Sequence, residues 1–161
     1  MKKILTAVLV FSLLAAGVAL AAADTKTLTI NFNPVARATL TLSQSSITFV
    51  DASPDSGPIT AGPVNVTSSV RTGTASKPTL TVLCTDLKSG TDTIPINNVS
   101  WTASGDAGYQ AGTMNATTAQ TAGNWTGSGS RQGAFTYNLV NSWGCMTGTY
   151  TATATYTLTA P

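Results

Sequence analysis

The chain has 161 residues, only 9% of them charged, and it contains neither His nor Glu. The missing side chains exclude an imidazole general base, a Ser-His-Asp triad and a His-ligated zinc site, and they leave six Asp as the only carboxylates. The length favours a single domain. Because these catalytic and metal-binding side chains are missing, we expect no enzyme and no cofactor. No basic stretch is present that could bind nucleic acid, so we expect no nucleic-acid partner.

The first 23 residues have the pattern of a secretory signal peptide. Lys2 and Lys3 precede an apolar run over residues 4–20, and two A-x-A cleavage patterns follow at 19–21 and 21–23. The alternative is an uncleaved anchor helix. No second apolar run is long enough to span a membrane, so we expect none after signal removal. The remaining chain carries six cations and six Asp and is formally neutral, which leaves little charge repulsion to oppose association.

After the signal, apolar residues alternate with polar ones at a period of two, as in half-buried β-strands. Residues 108–133 are weakly patterned and predict a long surface loop with short strands, and no helix is expected. Seven to nine short strands predict an all-β fold, an antiparallel immunoglobulin-like β-sandwich forming one domain over 24–161. The clearest strand segments are 25–32, 38–42, 47–50, 64–70, 79–85, 94–103, 134–140 and 149–160.

The two cysteines, Cys84 and Cys145, predict one disulfide, because an even count in an exported protein favours a bridge. It would close a loop of about 60 residues and stabilise the fold by about 4 kcal/mol in the loop-entropy description. The alternative is two reduced thiols. Cys84 is in phase with Leu80 and Val82, so its side chain is expected to point inward.

Three tryptophans could stack on sugar rings, and their strand phases separate them. Trp101 fits the core face of its strand, and Trp143 is expected to pack near the disulfide. Trp125, set among Thr and Gly, is expected to be the exposed ring and is the candidate ligand contact. The paired aspartates of the turns at 51–55 and 86–92 lack calcium-loop spacing, so we predict solvated turn residues, no metal site and no catalytic site.

The two ends of the chain resemble known bacterial surface proteins. An alternating segment over 24–32 leads through Asn33-Pro34 into a second alternating strand, and the C-terminal segment Gly148-Thr149-Tyr150 alternates almost to the last residue. Both ends resemble class 5 fimbrial subunits, a branch of the chaperone–usher pilins. The C-terminal pattern and its closing Ala160-Pro161 are also similar to spore-coat-U-type and WxL-type surface domains.

The pilin resemblance implies a mechanism of assembly. Such a subunit is an immunoglobulin-like sandwich without its final strand, and the N-terminal strand of the next subunit fills the open groove by β-strand addition. Leu28, Ile30 and Phe32 would then be the donor side chains of an extension over 24–33, with Pro34 ending the pairing. Alternatively, residues 25–32 are the first strand of their own sandwich.

These observations give two functional hypotheses. The first is a structural subunit of a bacterial surface filament, a fimbria or pilus, whose partners are copies of itself or related subunits, a periplasmic chaperone and an outer-membrane usher. Such a subunit would be exported through the periplasm to the cell surface. The second is a secreted or cell-surface module that does not polymerise and binds envelope polysaccharide or protein.

Overall fold

A computed structural model describes residues 24–161, so the predicted signal peptide over 1–23 lies outside the described residues. Residues 34–161 form one compact unit, and the extension 24–33 belongs to a separate one. The strands of the compact unit are β1 (Arg37–Leu42), β2 (Ile59–Arg71), β3 (Thr79–Cys84), β4 (Leu87–Ser89), β5 (Asp92–Ile94), β6 (Val99–Gly105), β7 (Gly112–Thr113), β8 (Gln120–Asn124), β9 (Gly129–Leu139) and β10 (Ala154–Thr159). Two short 3₁₀ turns, Pro54–Ser56 and Ile96–Asn98, are the only helical elements among the described residues.

Most strands belong to two antiparallel sheets. The larger sheet has the order β1-β2-β9-β6-β7, and the smaller has the order β10-β3-β8. β4 and β5 form a separate hairpin. β2 is the longest strand and pairs with β1 on one side and β9 on the other, with a register shift between Ala61 and Val64. The strands that are close in space are mostly distant in sequence, as in an all-β protein of this kind.

The core combines side chains from both sheets. Leu80 and Val82 of β3, Trp101 of β6 and Phe135 of β9 are at most 2% exposed and belong to one apolar cluster. The period-two alternation explains this burial, because every second residue of a strand points to the same face of its sheet. The predicted all-β, antiparallel, sandwich-like character is therefore confirmed, with ten strands where seven to nine were expected.

Three strands predicted within residues 34–161 differ in the structure. Residues 47–50 alternate in burial, with Ile47 and Phe49 packed against the core, but they form no strand. The segment 94–103 is interrupted at Pro95, which cannot donate a ladder hydrogen bond, and a 3₁₀ turn follows before β6. The last strand begins only at Ala154, because residues before it make isolated contacts such as the bridge between Lys88 and Thr151.

The extension over residues 24–33 contains no strand, although its sequence alternates. Leu28, Ile30 and Phe32 are 82%, 85% and 79% exposed. Three large apolar side chains at every second position are thus exposed to solvent. Single exposed apolar residues are common on protein surfaces, but a row of three is not.

Candidate strand-acceptor site

One side of the domain is closed by the segment that connects β6 to β8. The backbone N–H of Gln110 donates to the Ala122 carbonyl at 3.0 Å, and that of Asn124 donates to the Gly108 carbonyl at 3.0 Å. These bonds occupy the outer edge of β8. The indole N–H of Trp101 donates to the Gln110 carbonyl at 2.7 Å and ties the same segment to the larger sheet.

The opposite side of the smaller sheet is open. Among residues 24–161, β10 is the edge strand of this sheet and pairs with β3 alone. The N–H of Cys84 donates to the Asn115 carbonyl, away from β10, whereas the N–H of Thr85 donates to the Thr153 carbonyl. Because hydrogen-bonding direction alternates along an antiparallel ladder, the N–H and C=O groups of Ala154, Tyr156 and Leu158 point away from β3 toward the open edge.

Apolar side chains flank this open edge. Tyr156 and Leu158 of β10, together with Leu40 and Leu42 of β1, are partly buried and pack against the core. β1 is the edge strand of the larger sheet and contacts β10. The two sheet edges therefore meet along one side of the domain, where unpaired backbone groups lie beside half-exposed apolar side chains.

We call this open edge the acceptor edge and define it as β10 with the facing residues Leu40 and Leu42. The side chain of Tyr156 connects the acceptor edge to the core. Its ring stacks on Phe135 with a centroid distance of 5.9 Å, and its hydroxyl lies 2.7 Å from the hydroxyl of Tyr137. Burial raises the pKa of both phenols above the ordinary tyrosine value, so both are neutral at physiological pH. Neither β10 nor the two facing leucines include an Asp, Lys or Arg, so the acceptor edge is uncharged and suited to an apolar strand.

The predicted disulfide is wrong for this structure, because Cys84 and Cys145 are both free thiols. Cys84 is 5% exposed at the end of β3 and points into the core, as its phase predicted. Cys145 lies in the turn after β9, where its N–H donates to the Ser142 carbonyl. Burial, with a smaller contribution from Asp86, raises the pKa of the Cys84 thiol and keeps it protonated.

The predicted positions of two tryptophans are also wrong, whereas Trp101 is buried as expected. Trp125 is half-buried, its ring edge-to-face with Tyr109 at 5.2 Å, and its indole N–H is enclosed without a hydrogen-bond partner. It fits because Gly108 and Gly123 leave space where a Cβ would collide with the ring. Trp143 is 76% exposed, and its indole N–H donates to Asp55 Oδ1 at 3.0 Å.

Within residues 24–161, no three acidic, Cys or His side chains cluster in a way that could hold a metal ion. The turn aspartates have other roles: Asp86 Oδ1 accepts from the Ile96 N–H at 2.8 Å, and Asp55 orients Trp143. In that same part of the chain, no helix has both the length and the apolar character that a membrane crossing requires.

The acceptor edge could not be identified from the residues of β10 alone, because pairing is set by the topology of the whole sheet. The alternation of β10 predicts a half-buried strand, but it does not say whether that strand lies inside a sheet or at its edge. No protein-family model matches this sequence, and no curated protein matches it either.

Proposed function

We propose that the protein is an exported structural subunit of a bacterial surface filament that assembles by β-strand addition. The observation that carries the proposal is the acceptor edge, where three N–H and three C=O groups of β10 face outward beside half-exposed apolar side chains. Exposed strand edges of this kind are templates for pairing with another chain, and natural proteins otherwise cover them. Here the β8 side is covered and the β10 side is open.

The extension supplies the matching element. Leu28, Ile30 and Phe32 have the alternation of a strand and are exposed. Strand addition would give their backbone a ladder with β10 and would bury the three side chains against the apolar residues of the acceptor edge. In this proposal the domain is an immunoglobulin-like sandwich whose last strand comes from a neighbouring copy, and a periplasmic chaperone protects the open edge before assembly.

Deletion of residues 24–33 tests the proposal. The intact protein should form multimers that survive heating in SDS, as closed β-ladders dissociate slowly, whereas the deleted protein should stay folded but fail to form them. A matched variant in which residues 24–33 keep their length but Leu28, Ile30 and Phe32 become Ser should behave like the deletion. A stable intact monomer together with unfolding of the deleted protein would overturn strand addition.

A second candidate function is favoured by Trp143. This ring is 76% exposed and held by Asp55, an arrangement in which an aromatic face and a carboxylate could contact a sugar. We propose it as the alternative, a surface module that binds polysaccharide without polymerising. Loss of glycan-array binding in Trp143→Ala, with no loss in Trp125→Ala, would support it, and absence of binding by the intact protein would exclude it.

A further inference from the structure

The charged residues of the folded domain are separated between its two ends. The first end is where β1 begins and where β2 and β10 finish. The connection from β2 to β3 and the hydrogen bond from Thr72 Oγ1 to the carbonyl of Pro161 mark the same end. Four cations and one carboxylate lie there, a formal charge of +3, and we call it the basic end: Arg37, Arg71, Lys77, Arg131 and Asp106.

The opposite end carries the opposite charge. It contains the turn after residue 50, the β4–β5 hairpin and the loop after β9. Asn141 Nδ2 in that loop donates to the Ala52 carbonyl in the turn, and the N–H of Lys88 in the hairpin donates to the Thr151 carbonyl before β10. Four carboxylates and one cation lie there, a formal charge of −3, and we call it the acidic end: Asp51, Asp55, Asp86, Asp92 and Lys88. These two sets include every charged side chain of residues 34–161.

The charges at the two ends are not paired within the domain. Among residues 24–161, the one ion pair within 4 Å joins Lys26 to Asp24 in the extension. At the basic end, Arg37 and Arg71 are direct partners across β1 and β2, a like-charge pair that destabilises a sheet unless an anion compensates it. The Arg71 guanidinium is also held in place, because its Nε donates to the Val35 carbonyl at 2.8 Å.

Exposed apolar side chains accompany the charges. Val50, Val140, Trp143 and Met146 are 51–76% exposed on loops of the acidic end, and Val35 is 61% exposed at the basic end. An exposed apolar group rimmed by charge is the composition of a protein interface. Because the side-chain charges of the two ends are equal and opposite, the surface that best complements the acidic end is the basic end of another copy.

We infer that the basic end of one copy docks on the acidic end of the next, in a head-to-tail contact that orients the copies and speeds their encounter. The inference rests on the proposed function in taking a second copy of this chain as the partner. A contact of this type is heterologous, so it propagates along one axis instead of closing into a two-fold dimer. Electrostatic complementarity of this kind chiefly raises association rates and weakens as salt screens it.

Two exposed lysines provide a matched pair of variants. Lys77→Glu and Lys88→Glu are the same substitution and change the net charge equally, but Lys77 lies at the basic end and Lys88 at the acidic end. Head-to-tail docking predicts opposite effects. Lys77→Glu should slow multimer growth by about fivefold, in the range of an exposed charge pair, and Lys88→Glu should accelerate it. Both differences should vanish as NaCl rises from about 20 mM to about 500 mM.

The experiment measures the initial rate of growth by light scattering of the intact protein, and then the fraction of multimers that survive heating in SDS. Growth rates that change in the same direction in both variants, or that do not depend on salt, would overturn head-to-tail docking. An effect at Lys77 alone would also overturn it, because the basic end would then bind an anion other than a second copy. SDS-resistant multimers report on strand addition separately, so docking and strand addition can fail independently.

Discussion

The substitution Ile30→Ala tests whether residues 24–33 are a strand donated to a neighbouring copy or a strand of the protein's own domain. Ile30 is 85% exposed in the single chain, so its truncation should change the free energy of unfolding of the monomer by less than about 0.5 kcal/mol. If strand addition buries the Ile30 side chain in a neighbouring copy, the truncation should weaken the contact between the two copies by about 2–5 kcal/mol. At about 1.4 kcal/mol per factor of ten, multimers should dissociate at least roughly 30-fold faster.

The assay compares two readouts. Urea unfolding of the monomer gives its stability, and the loss of SDS-resistant multimers with time at a fixed temperature gives the dissociation rate. Thr29→Ala is the matched control, because Thr29 is its chain neighbour and points to the opposite face of an extended segment. Equal acceleration by Thr29→Ala and Ile30→Ala, or a monomer destabilised by more than about 1 kcal/mol in Ile30→Ala, would refute the reasoning.

Three further predictions concern the folded domain. Gly112→Ala should destabilise it by about 1–3 kcal/mol in urea unfolding, because the added Cβ would lie 2.5 Å from a ring carbon of a buried tryptophan; Gly73→Ala, which meets only a serine hydroxyl at 3.2 Å, should change stability little. Iodoacetamide should modify Cys84 only in unfolded protein, as mass spectrometry can show, since burial raises the pKa of this thiol. Burial likewise raises the pKa of Tyr156, so the unfolded chain loses its phenolic proton first. The free energy of unfolding should therefore be unaffected by this group below about pH 10 and should fall above that pH. Tyr156→Phe should reduce the fall, as measured by urea titrations.

The sequence predicts the strands that alternate and pair within the domain, because their apolar phase is itself the cause of their burial. Trp101 and Phe135 fall on the buried face of their strands for this reason. The extent of a strand is harder to predict. β2 runs from Ile59 to Arg71 through Gly62 and Pro63, a dipeptide that usually marks a turn, because pairing with β9 resumes after a register shift.

The candidate site depends on distances that a single sequence does not contain. Trp125 is half-buried because Gly108, distant in sequence, leaves room beside its ring. Trp143 is exposed, and its indole N–H is bonded to a carboxylate in another loop. The even cysteine count predicted a bridge, but Cys84 is enclosed in the core and Cys145 lies in a turn. The acceptor edge follows from sheet order, which local alternation does not determine.

If the protein assembles by strand addition as proposed, the contrast between the covered β8 side and the open β10 side sets the number of neighbours that each copy can bind. With one acceptor edge and one extension to donate, each copy would then join two neighbours, so assemblies would grow as unbranched lines with chemically different tips. A chain without residues 24–33 could accept a strand but could not give one. Added in small amounts to the intact protein, it would end each line that it joins, so mean filament length should fall in inverse proportion to its share.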